Sequence, residues 1–456
     1  MKKQLLALVF AILFLSLAAA ALDGSGSSAD PYVLYDADDF LSMASLVNAG
    51  TDGYDTAHYA LWADVDFTGV SYVMPGTAAH PFRGVFDGNG YALKNITVTS
   101  IGAGYQSSAA LAAGTFAFAE NALITDLAVE DMTVGVAASN IPVPFAVGLV
   151  VGRLSQTDAS VETGLVRCSS TGSLATVFNG ADVYAGGLAG FVTTTAKGGN
   201  ITLEDSYSHA SVSVSGSKNL FGGGLVGRIE AKAADALFSV KNVYSDGVVR
   251  ASDGRGALVC LGGIAGMAVV DNEYGAWAAS LSAAATVIEN AYFAGTVSGT
   301  GLWPYLGSIV GYVNEAAAEN TYAAVDSYIC SAPKYGIGGT KTAASGKVFL
   351  QTEVGFDFGS VWTMKDGKAA LRYAHAPKVA EKGGKLLVSV GDTACGTAVT
   401  AFYAADGRTL AVKAFDAPDG TTAAEMPQNA ASYKVFFLED LITVSPVSDS
   451  LAGTLS

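Results

Sequence analysis

The sequence is poor in the side chains on which most enzymes and metal sites depend. Only 14% of its 456 residues are charged, and it has four histidines and four cysteines. Their spacing matches no metal-binding pattern, and the chain holds no HExxH, GxSxG or phosphate-loop motif. These absences exclude the enzyme classes that such motifs define. The sequence predicts no metal site, no cofactor and no catalytic residue.

Cysteine is too rare and too scattered to suggest a disulfide framework. The four copies are Cys168, Cys260, Cys330 and Cys395. Cys168 and Cys330 fall several repeats apart, beyond the Cα separation of roughly 7 Å that a disulfide allows. We therefore expect a large repetitive core to stabilise the fold without disulfides.

Positive charge is also scarce, with 25 basic against 41 acidic side chains and a net charge of −16. A balance of this sign favours solubility and disfavours nucleic acid or an anionic membrane as a partner. No nucleic-acid partner is predicted.

Residues 1–21 have the charged start, apolar middle and alanine-rich end of a secretory signal peptide. An uncleaved membrane anchor is the alternative, because the apolar run is near the minimum length that spans a bilayer. Cleavage removes two lysines and no acid, so 23 basic and 41 acidic side chains remain and the charge becomes −18. We expect a secreted or cell-surface protein with no transmembrane span after cleavage.

Glycine is abundant, with 54 copies, and many of them lie in five related cores such as FGGGLVGRI at residues 221–229. The cores close at glycines that are 38, 37, 39 and 45 residues apart. A fixed period in this range indicates a stacked repeat architecture. The closing glycines are Gly152, Gly190, Gly227, Gly266 and Gly311.

A second recurring motif, Asp/Asn-x-Tyr, lies between the cores at residues 205–207, 242–244, 290–292 and 326–328. The copy in the first repeat, at 166–168, departs from it. We call the Asp or Asn positions of this motif the Asp/Asn column. It splits each repeat into two parts of roughly 17 to 22 residues, and we predict that each part is one turn of a β-helix. In segments such as SHASVSVSG, small or polar residues alternate with β-branched residues, which is typical of half-buried strands. Glycines would supply corners with positive φ, and Asp or Asn would line one corner.

The glycine cores and the segment FRGVFDGNGYALKNITV at residues 82–98 resemble bacterial surface proteins with the GLUG motif. That segment also looks like the opening coil of pectin-lyase-like β-helices, and the resemblance covers about residues 23–373. It implies a secreted or surface-displayed right-handed parallel β-helix that contacts carbohydrate or mediates adhesion. It carries over no catalytic residue.

The predicted fold is all-β, with a cap, a parallel β-helix and a C-terminal module. Residues 22–60 form an N-terminal cap whose helix begins at Asp36 and is closed by Gly50. Residues 61–376 form the β-helix, whose last coil Trp362 would plug. Residues 377–456 form a small antiparallel β-sandwich that acts as a spacer, a lid on the open C-terminal end or an attachment module.

Two places are candidate sites. Nine extra residues in the fourth repeat, within 271–282, contain Tyr274 and Trp277, side chains that pack on sugar rings or partner surfaces. They would alternatively fold back over the coil. Asp64, Asp66 and Asp87 suggest either a calcium site or carboxylate pair, or simply turn-forming residues.

Two function classes remain open. One is a non-enzymatic adhesion protein or scaffold that binds glycans or host or bacterial surface proteins. The other is a β-helix polysaccharide lyase or glycoside hydrolase, which needs a general base with charge-neutralising groups, or paired carboxylates. Basic side chains are sparse between residues 135 and 340. We therefore favour the binding protein and keep the enzyme as the alternative.

Overall fold

A computed structural model describes residues 22–270, 285–313, 316–324, 329–331, 336–342, 356–358, 361–365, 368–371, 378–382, 384–390, 396–416, 421–439, 445–446 and 450–455. The predicted signal peptide and the segment with Tyr274 and Trp277 lie outside these residues. Within them, no helix is long and apolar enough to cross a membrane.

The regular structure of the described residues is almost all β-strand, with one α-helix and one 3-10 turn. The first coils contain β1 (Tyr32–Leu34), α1 (Ala37–Asn48), β2 (His58–Leu61), β3 (Val65–Asp66), β4 (Val85–Asp87), β5 (Ala92–Lys94), β6 (Thr97–Val98), η1 (Ala103–Tyr105), β7 (Leu111–Ala113), β8 (Phe116–Glu120) and β9 (Leu123–Thr125). The repeats contain β10 (Ala128–Ser139), β11 (Phe145–Gly148), β12 (Val151–Gln156), β13 (Thr163–Val166), β14 (Ser169–Asn179), β15 (Val183–Gly186), β16 (Ala189–Thr194), β17 (Asn200–Glu204), β18 (Tyr207–Ser208), β19 (Ser211–Gly216), β20 (Leu220–Gly223), β21 (Val226–Ala231), β22 (Leu237–Ser245), β23 (Val248–Gly262), β24 (Ala265–Val270), β25 (Ala285–Phe293), β26 (Thr296–Gly307), β27 (Val310–Val313), β28 (Ala316–Ala324) and β29 (Thr340–Thr342). The C-terminal part contains β30 (Trp362–Lys365), β31 (Lys368–Leu371), β32 (Lys378–Lys382), β33 (Lys385–Ser389), β34 (Thr397–Tyr403), β35 (Thr409–Asp416), β36 (Thr421–Glu425), β37 (Ser432–Leu438) and β38 (Leu451–Thr454).

The strands before residue 343 pair in parallel and build a β-helix, as the sequence predicts. One six-stranded sheet has the order β27-β24-β21-β16-β12-β8. On another side, β1, β2, β4, β9, β13, β17, β22, β25 and β28 pair in succession. Eight strand spacings of about 4.8 Å make this ladder roughly 38 Å long.

Each glycine-core repeat forms one coil, so the prediction of two turns per repeat is wrong. Val151 pairs with Ala189 and Val183 with Leu220, which are steps of 38 and 37 residues. The glycine core and the Asp/Asn column lie on different sides of the same coil. Parallel pairing requires a full circuit back to the same side, and half a repeat does not complete one.

The insertion in the fourth repeat is visible in the register. Val226 pairs with Ala265, a step of 39 residues, whereas Leu237 pairs with Ala285, a step of 48. The nine extra residues therefore lie between β24 and β25, as predicted, outside the described residues.

The interior is one continuous apolar cluster that extends from Leu22 to Val310. Leu188, Leu225 and Ile264 are fully buried in it, at the same place in successive coils. The closing glycines are required by close packing rather than by positive φ. A Cβ at Gly227 would collide with the backbone nitrogen of Ala185 and would lie 2.6 Å from the Gly190 carbonyl oxygen.

Positive φ values do occur throughout the described part of the Asp/Asn column. Its described members have φ between 50° and 53°. The structure places Arg167, rather than Val166, at this corner of the first repeat, because Ser169 pairs with Tyr207. Asn95 also has a positive φ, 59°, but it lies at a second corner, since its N–H donates to the Glu130 carbonyl. The column residues are Asp126, Arg167, Asp205, Asn242 and Asn290.

Side chains in this column bond from coil to coil. The amide of Asn242 donates to Asp205 Oδ1 at 2.9 Å, and that of Asn290 donates to Asn242 Oδ1 at 2.9 Å. Arg167 donates to both carboxylate oxygens of Asp126 at 2.6 Å. These side-chain bonds support the left-handed backbone conformation of the column, which Asp and Asn tolerate better than most residues.

The N-terminal helix caps the first coil. Asp36 accepts from the N–H groups of Asp38 and Asp39 at 3.1 Å. At the other end Gly50 has a φ of 65° and donates to the Val47 carbonyl at 2.9 Å. Phe40 is fully buried and lies edge-on to the Phe67 ring at 5.4 Å, so the helix covers the first edge of the apolar interior.

The C-terminal region forms two antiparallel sheets, with the orders β32-β33-β36 and β35-β34-β37-β38, around one apolar cluster. This is the predicted sandwich. It contacts the first coils: Tyr35 Oη donates to the Glu381 carbonyl and Lys378 Nζ to the Asn89 carbonyl, both at 3.4 Å.

Trp362 does not plug the last coil. It is fully buried against tyrosines on the outer side of the coils, 6.2 Å from Tyr244 between ring centroids and 4.4 Å from Phe356. This cluster is separate from the apolar interior. The β30–β31 hairpin therefore packs along the outside of the β-helix.

Candidate functional site

The bend inside each glycine core brings two outer columns of side chains against each other. Tyr184 on β15 and Phe191 on β16 lie on either side of one such bend, with ring centroids 5.0 Å apart. We call the surface formed by the two columns the outer elbow. The first column is Ala146, Tyr184, Phe221, Cys260 and Tyr305, and the second is Phe118, Arg153, Phe191, Arg228, Met267 and Tyr312.

The second column has a simple origin in the sequence, which our sequence analysis missed. Each of its members after Phe118 directly follows a closing glycine and is large. The residue that follows each of these positions in the strand lies in or against the apolar interior, so the position itself points outward. Five strand spacings separate Phe118 from Tyr312, or about 24 Å across the sheet.

Aromatic rings surround an arginine in the middle of the elbow. Arg228 is only 4% exposed, and its guanidinium carbon lies 5.3 Å from the Tyr184 ring centroid and 5.5 Å from that of Phe221. Glu230 pairs with Arg228 at 3.1 Å and with Lys232 at 3.3 Å. Pairing and ring contacts offset the cost of burying the charges.

Burial also changes the titration of nearby groups. It raises the pKa of Tyr184 to about 12, with the Arg228 charge opposing it. It raises the pKa of Asp182, whose Oδ1 accepts from the Asn219 N–H at 3.2 Å. Tyr184 therefore stays neutral near pH 7.

Arg153 is the arginine of this surface that the described carboxylates leave without an ion pair. Its guanidinium carbon lies 5.2 Å from the Phe191 ring centroid, and the side chain is half-buried. Burial lowers the pKa of Arg153, and the negative charges of Glu230 and Glu120 act in the opposite direction. Glu120 itself pairs with Arg83 at 2.9 Å, and Arg83 also pairs with Asp55.

The exposed end of the elbow is aromatic. Trp303 on β26 is 59% exposed, as is Leu302 beside it. Two residues along the same strand, Tyr305 lies edge-on to Tyr312 with ring centroids 5.3 Å apart. We call Leu302, Trp303, Tyr305 and Tyr312 the aromatic patch. A partly exposed group of rings is a surface on which sugar rings and protein partners pack.

A polar group lies on another side of the coils, beside the tyrosines that follow the Asp/Asn column. His209 Nδ1 bonds to Asp246, and its Nε2 lies 3.3 Å from the Tyr244 hydroxyl. Tyr207 stacks on Tyr244 with ring centroids 4.8 Å apart. Burial raises the pKa of Tyr244 well above its ordinary value. The Asp246 carboxylate thus orients an exposed imidazole toward a phenol.

The three predicted aspartates each bond within turns or to a neighbouring coil. Asp64 pairs with Lys94 at 2.8 Å. Asp66 accepts from the Thr68 N–H at 2.8 Å and from Asn95, whose bond lowers the Asp66 pKa. Asp87 accepts from the Asn89 N–H at 2.7 Å. Among the described residues no three His, Cys, Asp or Glu side chains are grouped as a metal site.

The predicted binding residues Tyr274 and Trp277 lie outside the described residues. The strand before them, β24, contributes Met267 and Val269 to the apolar cluster of the outer elbow. Trp303 was not among the predicted site residues, although it closely follows the stretch of polar residues and glycines at 298–301.

No family model matches the chain, and no curated protein matches it.

Proposed function

We propose that the protein is a non-enzymatic binding scaffold, secreted or displayed on a bacterial cell surface, whose outer elbow and aromatic patch bind a glycan. The observation that carries this proposal is the exposure of Trp303 beside the half-buried Tyr305 and Tyr312. Rings held on a rigid sheet lose little side-chain entropy on binding, so they suit flat contact with sugar rings.

The arrangement of charge in the elbow supports binding over hydrolysis. Glu230 lies between Arg228 and Lys232, and Glu120 pairs with Arg83. Glycoside hydrolysis needs two carboxyl groups that are open to the scissile bond. Both of these carboxylates are instead held in ion pairs with cationic side chains.

The experiment compares the full mature chain with Trp303→Ala on an array of plant, bacterial and host glycans. We expect the parent to bind a subset of glycans and the variant to lose at least tenfold in affinity. Val177→Ala, a change at an exposed residue on another face, is the matched control and should bind as the parent does. Equal binding by Trp303→Ala would contradict the proposal.

A polysaccharide lyase or glycoside hydrolase is the second candidate, and the group of His209, Asp246 and Tyr244 favours it. A carboxylate-oriented imidazole next to a phenol can accept and pass a proton. A lyase would release unsaturated uronate ends that absorb ultraviolet light, and a hydrolase would release reducing ends. Turnover that His209→Ala abolishes would replace the binding proposal with this one.

The proposed export is tested separately by the intact mass of protein from the culture medium. We expect a mass that lacks about the first 21 residues. A mass that includes them would indicate a membrane-anchored protein instead.

A further inference from the structure

One arginine on the outer elbow has no carboxylate partner in the described structure, and its surroundings favour an anionic ligand. Arg83 pairs with Asp55 and Glu120, and Arg228 and Lys232 pair with Glu230. The Arg153 guanidinium makes no hydrogen bond or ion pair with the side chains that the structure describes. Its five N–H donors therefore lack a described partner on a side chain that is half-buried.

The side chain of Arg153 is held in place rather than free. It packs on Phe191, and in the sheet it lies between Phe118 and Phe191 of the adjacent coils. A guanidinium stacked on a ring presents its planar edge, which matches the two oxygens of a carboxylate. Much of the entropy cost of ordering the side chain is thus met before a ligand binds.

A second polar group lies next to it on the same face. Thr193 pairs with Ser155, two residues along β12 from Arg153. Strand geometry places Thr193 and Arg153 roughly 8 Å apart between Cα atoms. Thr193 is 2% exposed, and its buried hydroxyl has no hydrogen-bond partner among the described residues. Such a group is costly unless a ligand or water bonds to it.

The charges nearby limit the kind of anion. Glu120 and Glu230 both act on the Arg153 guanidinium through space. A doubly charged phosphate would meet more repulsion from them than a singly charged carboxylate. The second column also runs about 24 Å from Phe118 to Tyr312, which suits an extended chain with several contacts.

We propose that Arg153, with Thr193 beside it, is the subsite for a carboxylate on the glycan, so that the ligand is a uronate-containing polysaccharide. This inference rests on the proposed function, because the aromatic patch supplies the sugar contacts and Arg153 supplies the recognition of charge.

The test uses the full mature chain and titration calorimetry with oligogalacturonate, oligoglucuronate and oligomannuronate, each paired with its methyl ester. The parent should bind at least one acid form more tightly than its ester. Arg153→Gln should weaken binding of that acid form about tenfold or more and leave the ester unchanged. Arg153→Lys keeps the positive charge but lacks the planar guanidinium, so its affinity for the acid form should fall between those of the parent and Arg153→Gln.

Arg250→Gln is the matched control, since Arg250 is an exposed arginine on another face whose Nε donates to Ser213. It should bind as the parent does. Thermal melts of all variants separate binding loss from unfolding. A loss that is equal for acid and ester would assign Arg153 a packing role and overturn the inference.

The remaining outcomes separate this inference from the proposed function. If the parent binds acid and ester equally and Trp303→Ala loses both, the glycan proposal stands and the carboxylate subsite is wrong. If the parent binds neither form, nor any neutral glycan, both are wrong. Tighter, Arg153-dependent binding of poly-glutamate would assign the subsite to an acidic protein and overturn the uronate class.

Discussion

The Tyr207 and Tyr244 rings stack with centroids 4.8 Å apart and planes only 6° apart, although the residues are 37 positions apart in the chain. Their strands pair in register, Tyr207 with Tyr244 and Ser208 with Ser245. The relationship shows that one repeat makes one coil. It also places identical residues above one another, so a change in one coil is felt by the next.

Leu225 should be essential to the apolar interior. It is fully buried between Leu188 and Ile264, and its N–H donates to the Ile264 carbonyl at 3.0 Å. Leu225→Ala should lower the free energy of unfolding by about 2 to 5 kcal/mol. Denaturant melts measure this, with Val177→Ala, at an exposed position, as a control expected within about 0.5 kcal/mol of the parent. Matching curves for both variants would contradict the assigned packing.

Gly227 should not tolerate a side chain, even alanine. The added Cβ would meet the Ala185 nitrogen and the Gly190 carbonyl oxygen, and both belong to backbone that cannot rotate away. Gly227→Ala should therefore destabilise the protein by more than 1 kcal/mol, as overpacking generally does. Gly135→Ala is the control, because no atom lies within 4 Å of its Cβ position. That variant should be neutral or slightly stabilising in the same melts.

Asn242 should contribute to the stability of the fold through both its backbone conformation and its side-chain hydrogen bonds. Its φ is 51°, and its amide bonds to Asp205 and Asn290. Asn242→Ala should cost about 1 to 3 kcal/mol, since it removes the bonds and keeps the strained φ. Asn242→Gly relieves the strain alone and should recover part of that loss. Equal stability of the two variants in urea melts would mean that φ carries no cost here.

Asp182 should make stability depend on pH in a direction opposite to most carboxylates. Burial raises its pKa in the folded state above the ordinary value of about 3.9. The folded chain therefore takes up the proton before the unfolded chain does, so this group favours folding more as pH falls through the raised pKa. Asp182→Asn should be at least as stable as the parent at pH 7.

The advantage of Asp182→Asn should shrink as pH falls toward 4. Melts at several pH values measure the difference, with Asp406→Asn as the control, because the Asp406 side chain is 67% exposed. A gap between Asp182→Asn and the parent that widens on acidification would show that the pKa of Asp182 is lowered instead.

Trp362 should hold the β30–β31 hairpin on the coils. The ring is fully buried against Phe356 and near Tyr244. Trp362→Ala should release the hairpin and speed proteolytic cleavage in residues 356–371, while the melt of the coils changes little. Trp303→Ala is the matched tryptophan control and should leave cleavage unchanged. Unaltered cleavage of Trp362→Ala would mean that other contacts hold the hairpin.

The sequence predicted the parallel β-helix, the helical cap and the C-terminal sandwich, because each has a local signal. The five glycine cores indicated the repeat period, and Asp36 and Gly50 indicated the ends of the helix. The alternation of polar and apolar residues indicated the strands. The coil size could not be derived in the same way. The spacing of Gly190 from Tyr207 measures distance along the chain, and only strand pairing shows which residues lie side by side.

The candidate site was harder to predict than the fold. Arg153, Phe191 and Arg228 lie in three different repeats, and their contact depends on the register between coils. Still, the large residue after every closing glycine was a signal in the sequence. Whether Arg153 lacks a partner could not be read from it, since Glu120 and Glu230 are both close and both pair with other cations.

The C-terminal sandwich contacts Tyr35 and Asn89 of the first coils, at the opposite end of the β-helix from Trp303. A cell wall that held the protein through this sandwich would lie beside the first coils. The last coils, with Trp303, would then project roughly 38 Å from it, the length of the nine-strand ladder. In that orientation the exposed Trp303 ring would stand at the end of the β-helix that is farther from the wall.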